Sequence, residues 1–386
     1  MKVGETIYLD HQATTPVDPV VIGKMQPYFS EIFGNPHSSE HVLGWTALKA
    51  VDEAQAKVAR LIEADLDEII FTSGATEANN LSMLGVVQGN KSKRNKVLIS
   101  AIEHKCIHAI ADSLSRHFGL VVSIIPVDSQ GTIDLNWLSD ELGDDVLLVS
   151  VMAVNNEIGT IQPIEQIGKL TGKSGAFFHC DAAQAPCAID IDVFSMGIDM
   201  LSLSAHKFYG PKGIGAAYIR RDLHKKVEPV ILGGGQQNGL RGGTLPTQLC
   251  VGMGAAVELL QDEHQQLERV RISNLRNYFV EKLLESSNRV KVNGPDFKIR
   301  HPGNVNLSFD GVNAQDLLIA MQPKLAASSG SACSSGMVQP SYVLKAIGLT
   351  TEEAESSLRF GFGRFTTMDD IDESVEQICS ALDRLR

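Results

Sequence analysis

The 386-residue chain is 43% apolar and 21% charged, and 34 Lys and Arg against 46 Asp and Glu leave a net charge of −12. That acidity excludes a whole-surface affinity for phosphate backbones or anionic membranes, which need a basic face. No run approaches the roughly 18 apolar residues of a bilayer span; residues 146–154 form one of the longest and Asn155 ends it.

At about 150 residues per domain, the length predicts two domains. The opening Met1-Lys2-Val3-Gly4-Glu5-Thr6 lacks a basic-then-apolar leader. Six cysteines without a Cys-x-x-Cys pair read as reduced thiols. These features predict a cytoplasmic protein.

Apolar runs of strand length follow in chain order at 68–72, 96–100, 121–127, 146–152, 176–179, 200–204 and 214–219. They are rich in Val, Ile, Leu and Phe without a clean period of two, as in strands buried on both faces. Helical patterns intervene, for example at 164–171. The alternation predicts an α/β fold whose large domain, 15–260, holds a mainly parallel, helix-covered sheet. A helical pattern at 249–284 then leads to a smaller α+β domain made of 1–14 and 261–386, with a strand at 305–309 and a closing helix at 371–385.

Ligands of open parallel sheets sit at the carboxyl ends of the strands. At the first such end, Ser73-Gly74-Ala75-Thr76-Glu77 opens a helix, where free N–H groups and the Thr76 hydroxyl suit an anion; taken alone, an ordinary N-cap is the more economical reading. Neither Gly-x4-Gly-Lys-Ser/Thr nor Gly-x-Gly-x-x-Gly occurs, so neither standard nucleotide route is supported. Asp181 follows the run at 176–179 and needs a cationic or hydrogen-bonding partner, structural or otherwise. Lys207 follows the run at 200–204, where a lysine of lowered pKa serves as a Schiff-base amine. A lysine for an aldehyde, an acid for a pyridinium nitrogen and an anion cradle are what pyridoxal phosphate (PLP) requires.

Cys333 lies in Ser328-Ser329-Gly330-Ser331-Ala332-Cys333-Ser334-Ser335-Gly336, with no large neighbour, and reads as an exposed functional thiol. The other five cysteines read as packing. His37-Ser38-Ser39-Glu40-His41 matches an inverted zinc-protease motif, but Gly34-Asn35-Pro36 marks a loop where that motif needs a helix. No resident metal is predicted.

An ordered set of segments carries a resemblance: Tyr8-Leu9-Asp10 with Ala13-Thr14-Thr15-Pro16, Phe33-Gly34-Asn35-Pro36, Phe71 to Glu77, and Glu103-His104-Lys105. It continues through Val154-Asn155-Asn156-Glu157-Ile158-Gly159, Ser204-Ala205-His206-Lys207, Arg241-Gly242-Gly243-Thr244-Leu245-Pro246 and Ser329-Gly330-Ser331-Ala332-Cys333. Nearly end to end, the chain resembles the cysteine desulfurases of the NifS/IscS type, within the PLP-dependent transferases of fold type I. The resemblance implies a seven-stranded large-domain sheet and a small domain carrying the catalytic cysteine loop.

It further implies that Lys207 holds the coenzyme and moves the Cα proton, Asp181 pairs with the ring nitrogen, and Gln184 bonds the ring oxygen. His104 would stack on the ring and assist proton transfer. Ala75, Thr76, Ser204 and His206 would hold the phosphate, with Thr244 supplied by the partner of a homodimer. Asn156, also a coenzyme contact, and Arg359 would hold the substrate carboxylate, a planar anion that suits a guanidinium. L-cysteine would become L-alanine, leaving a persulfide on Cys333, and that residue would transiently ligate an iron–sulfur cluster.

Two departures bear on partners and site. Ala153 stands where such proteins often carry histidine before Val-Asn-Asn. The sequence stops at Arg386, without the tail by which longer members dock an iron–sulfur scaffold. The sulfur acceptor is therefore expected to be a scaffold or a thiolation factor, reaching any tRNA or DNA through a carrier protein, with no direct nucleic-acid or membrane contact. Selenocysteine lyases and class V aminotransferases would need Lys207 and Asp181 equally but not always Cys333. A non-catalytic binding protein would be expected to lack the lysine or the thiol, and both are present.

Overall fold

The computed structural model describes residues 1–260, 265–329 and 340–385. The chain opens with β1 (Lys2–Val3) and β2 (Thr6–Tyr8), an antiparallel pair. Seven strands then build one sheet: β3 (Ile69–Thr72), β4 (Lys96–Ser100), β5 (Val121–Ile125), β6 (Val146–Ser150), β7 (Phe177–Asp181), β8 (Met200–Ser204) and β9 (Gly215–Ile219). Their spatial order is β3-β9-β8-β7-β6-β4-β5. Every neighbouring pair is parallel except the two that β9 makes, with β3 and β8.

β3, β6, β8 and β9 are buried at every position, which is why their sequences show no alternation. Helices cover the sheet. Helix Lys105–Phe118 buries Ile107, Ile110, Ala111 and Leu114, a stripe at i, i+3, i+4 and i+7, and ends at Gly119 with φ 68°. Helix Ala75–Gln88 is buried on more than one side, from Ala78 and Asn79 to Val87.

The smaller part has β10 (Val290–Asn293), β11 (Asn304–Phe309), β12 (Leu325–Ala326) and β13 (Ser357–Gly361). β10-β11-β13 form an antiparallel sheet, and β12 adds to β2 in parallel. Phe279 anchors this core, its ring 5.0 Å from that of Phe360 and 5.2 Å from that of Phe362. The sheet of seven strands has its own core, including Phe71, Val149, Phe178 and Leu203.

The helical pattern at 249–284 is not one helix. It comprises Thr247–Glu258 and Gln265–Ser286, with Leu259 and Leu260 in a turn. The Leu260 N–H reaches the Val257 carbonyl, an i−3 bond that tightens and closes the first helix.

Candidate active site

The carboxyl ends of β3, β4, β6, β7 and β8 point to one side of the sheet, and the segments leaving them line a cavity of about 720 Å³. From β3 come Ser73 to Glu77, from β4 His104 and Cys106, from β6 Met152 and Asn156, from β7 Asp181, Ala183 and Gln184, and from β8 Ser204, His206 and Lys207. Gln12 to Thr14, Ser328 and Arg359 close it.

Asp181 is buried, and its charge is held by two donors: Asn79 Nδ2 at 2.8 Å to Oδ2, and the Ala183 N–H at 3.0 Å to Oδ1. Asn79 lies four residues into helix Ala75–Gln88, on the side facing the sheet. At the start of that helix Gly74 gives no side-chain cap, so first-turn N–H groups open toward the cavity. The Arg241 guanidinium pairs with Glu77 at 2.8 Å and holds its carboxyl below the usual range, although burial opposes the shift.

The Lys207 Nζ donates to the Gln12 and Ala13 carbonyls at 2.6 and 2.9 Å. Burial, reinforced by the Arg359 charge and opposed by Asp10 and Asp181, lowers its pKa to about 8. Burial and the Lys207 and Lys212 charges likewise bring His206 down to about 4, so its ring is neutral, with Nδ1 3.1 Å from the Thr14 hydroxyl. Arg359 Nη2 pairs with Asp10 at 2.7 Å and Nη1 donates to the Asn156 carbonyl at 2.9 Å; its buried Nε has no partner among the described residues.

Such a constellation takes an aldehyde on an amine, a ring nitrogen on a carboxylate and a phosphate on a helix start. A profile of the family described as Aminotransferase class-V matches residues 7–373. The chain belongs to that family. A relative in Rickettsia massiliae (strain Mtu5) named cysteine desulfurase IscS is 47% identical over 385 residues, covering 100% of this chain and 93% of that protein. Among solved structures, a NifS-like protein matches with TM-score 0.91 and 31% identity, over 98% of this chain and 100% of that one. SspA, solved in complex with cysteine, matches with TM-score 0.82 and 35% identity, over 94% of this chain and 100% of the other.

This family is PLP-dependent, and the site fits the coenzyme. The uncapped helix start, the Lys207 amine and the Asp181 carboxylate, the three kinds of group it needs, lie within one cavity.

Of the residues expected from sequence, Ala75, Thr76, His104, Asn156, Asp181, Gln184, Ser204, His206, Lys207 and Arg359 line this cavity. Thr244 is exposed and is not among its lining residues. Cys333 lies outside the described residues. Reading Cys106 as packing needs correction, because its thiol is in the cavity wall. Asn79 and Gln12 went unnoticed in the sequence, and Asp10 stood in a quoted segment without a role, since only the folded register brings them to the site. Among the described residues, no group of three His, Cys, Asp or Glu side chains could hold a metal ion.

Proposed function

We propose that this protein is a PLP-dependent cysteine desulfurase that converts L-cysteine to L-alanine and leaves the sulfur as a persulfide on Cys333. The observation that carries the reading is the convergence of Lys207, Asp181, the open helix start and Arg359 on one cavity. Lys207, Asp181, Gln184, Asn156 and His104 would hold the coenzyme ring; Ala75, Thr76, Ser204 and His206 would hold its phosphate. When bound, the coenzyme supplies an electron sink.

The chain's own residues do the rest. Asp181, its carboxylate fixed by Asn79 and the Ala183 N–H, would pair with the ring nitrogen. Lys207, with a pKa of about 8, is partly neutral near pH 7 and able to take and return the Cα proton. Arg359 offers Nε to the substrate carboxylate, which would compete with Asp10 for Nη2. The thiolate of Cys333 attacks the cysteine sulfur; one S–S bond forms, one C–S bond breaks, and the protons pass to alanine.

We assign residues 15–260 to a large coenzyme-binding domain, and 1–14 with 261–386 to a small one; each has its own main apolar cluster, and Ile102 and Ile158 pack with Val343 and Leu344 across the boundary. Exposed Phe29, Phe33, Val42 and Trp45 support a homodimer in which Thr244 serves the partner's phosphate site. The acceptor would be an iron–sulfur scaffold or a thiolation factor, and the setting cytoplasmic. No helix among the described residues is long and apolar enough to cross a membrane.

Replacing Cys333 decides the chemistry. Cys333→Ala should lower alanine and sulfide production from L-cysteine at least about 100-fold while the coenzyme's visible absorbance persists, as expected when an attacking nucleophile is lost. Undiminished turnover would remove the desulfurase reading and leave an activity that needs only Lys207.

A further inference from the structure

Cys106 sits where three of the site's contacts meet. Its Sγ is 3.0 Å from His104 Nδ1 and 3.3 Å from Asn79 Nδ2, and its backbone N–H donates to the same Nδ1 at 3.2 Å. Asn79 Nδ2 uses its other hydrogen on Asp181. An amide nitrogen only donates, so Sγ is the acceptor in the Asn79 contact, and the Thr76 hydroxyl, whose bond favours the thiolate, also donates to it; the thiol's own proton then faces the lone pair of His104 Nδ1. A ring nitrogen facing a backbone N–H must itself present a lone pair.

We propose that Cys106 is a positioning residue for His104: its thiol and backbone N–H, both aimed at Nδ1, hold the ring in the tautomer that carries its proton on Nε2. His104 then meets coenzyme or substrate as a neutral Nε2–H donor. The proposal rests on the desulfurase reading for the catalytic part it gives His104; the hydrogen bonds stand without that reading.

The surroundings act in the same direction. His104 is the N-cap of helix Lys105–Phe118, whose positive end disfavours an imidazolium. The ring edge is open to the cavity, yet the walls around it lower its pKa; Asp181 opposes this, while Lys207 and Lys105 add to it. His108, packed edge-on against the Tyr342 ring, is itself lowered, first by burial and then by His104. Burial and then Asp181 push the Cys106 thiol up to about 12, so it keeps the proton it donates.

The test is nitrogen-15 NMR of labelled histidine in both the coenzyme-free and the loaded protein, across pH 4 to 8. The wild type should show His104 with its proton on Nε2. In Cys106→Ala the His104 titration midpoint should rise by roughly 0.5 to 1 pH unit, the size set by one hydrogen bond of ordinary strength. Cys106→Ser, whose hydroxyl also donates, should bring it most of the way back, and kcat–pH profiles of the loaded enzymes should shift in parallel. A proton on Nδ1 in the wild type, an unmoved midpoint in Cys106→Ala, or a serine variant indistinguishable from the alanine one would overturn the proposal. Failure of the wild type to make alanine from cysteine would strike the desulfurase reading alone, because the tautomer is read without turnover.

Discussion

At Lys207 the surroundings work against a charge. The amine is buried in a wall shared with Arg359, and the charges of Asp10 and Asp181 only partly offset that. The neutral amine is the nucleophile and exists above the pKa, so lowering that pKa to about 8 brings reactivity toward neutral pH. Coenzyme uptake by the coenzyme-free protein, followed by absorbance, should accelerate with pH and level off a little above 8. Continued acceleration past pH 10 would mean an ordinary lysine.

Lys207, Asp181 and Thr76 were legible in the sequence because each follows a strand-length run, and strand ends are where an open sheet binds. Asn79 and Cys106 were not. Asn79 is one of two adjacent asparagines and Cys106 follows Lys105 on a helix, with no strand end to mark either, and only the packing of helices Ala75–Gln88 and Lys105–Phe118 over the sheet turns them to the same spot.

β9 passes close against the turn after β3. A methyl group on Gly215 would lie 2.4 Å from the Leu203 carbonyl oxygen and 2.6 Å from Gly74 Cα, both backbone atoms that cannot rotate aside. Gly215→Ala should therefore push the Gly74 turn off β8 and distort the helix start proposed to cradle phosphate. Overpacking of this kind costs about 1–3 kcal/mol, and coenzyme affinity should fall with the melting temperature. Gly119→Ala is the control. It caps a helix at φ 68° with nothing within 4 Å of an added methyl, so it should cost about 1 kcal/mol of conformational strain. Ultrafiltration of bound coenzyme separates the two variants: equal retention in both would show that the Gly215 approach does not shape the site. The strands themselves were readable from continuous apolar runs. The antiparallel course of β9 was not, because a strand buried on both faces carries no mark of direction. The break after Glu258 was also hidden, since Leu259 and Leu260 suit a helix interior as well as its last turn.

For the whole molecule, the apolar surface of the first fifty residues calls for an account. Phe33 is 66% exposed and Trp45 56%, beside Phe29 and Val42, although a monomer rarely leaves several large side chains in water so close in sequence. A second copy of the chain covers them in the proposed homodimer, and the same association explains an exposed Thr244 outside its own chain's cavity lining. Mass and site occupancy are then linked. The wild type should sediment as a dimer of 41.8 kDa chains. Phe33→Asp with Trp45→Glu should yield monomers, because an interface core tolerates buried unpaired carboxylates poorly. Those monomers should retain coenzyme roughly tenfold less well, the loss corresponding to one charge-assisted hydrogen bond of about 1.5 kcal/mol. Thr244→Ala should weaken retention similarly with the dimer mass unchanged, which separates the contact from the association. A wild-type monomer that binds coenzyme tightly, with Thr244→Ala indistinguishable from it, would place the phosphate site entirely within one chain and require another role for the exposed aromatic residues.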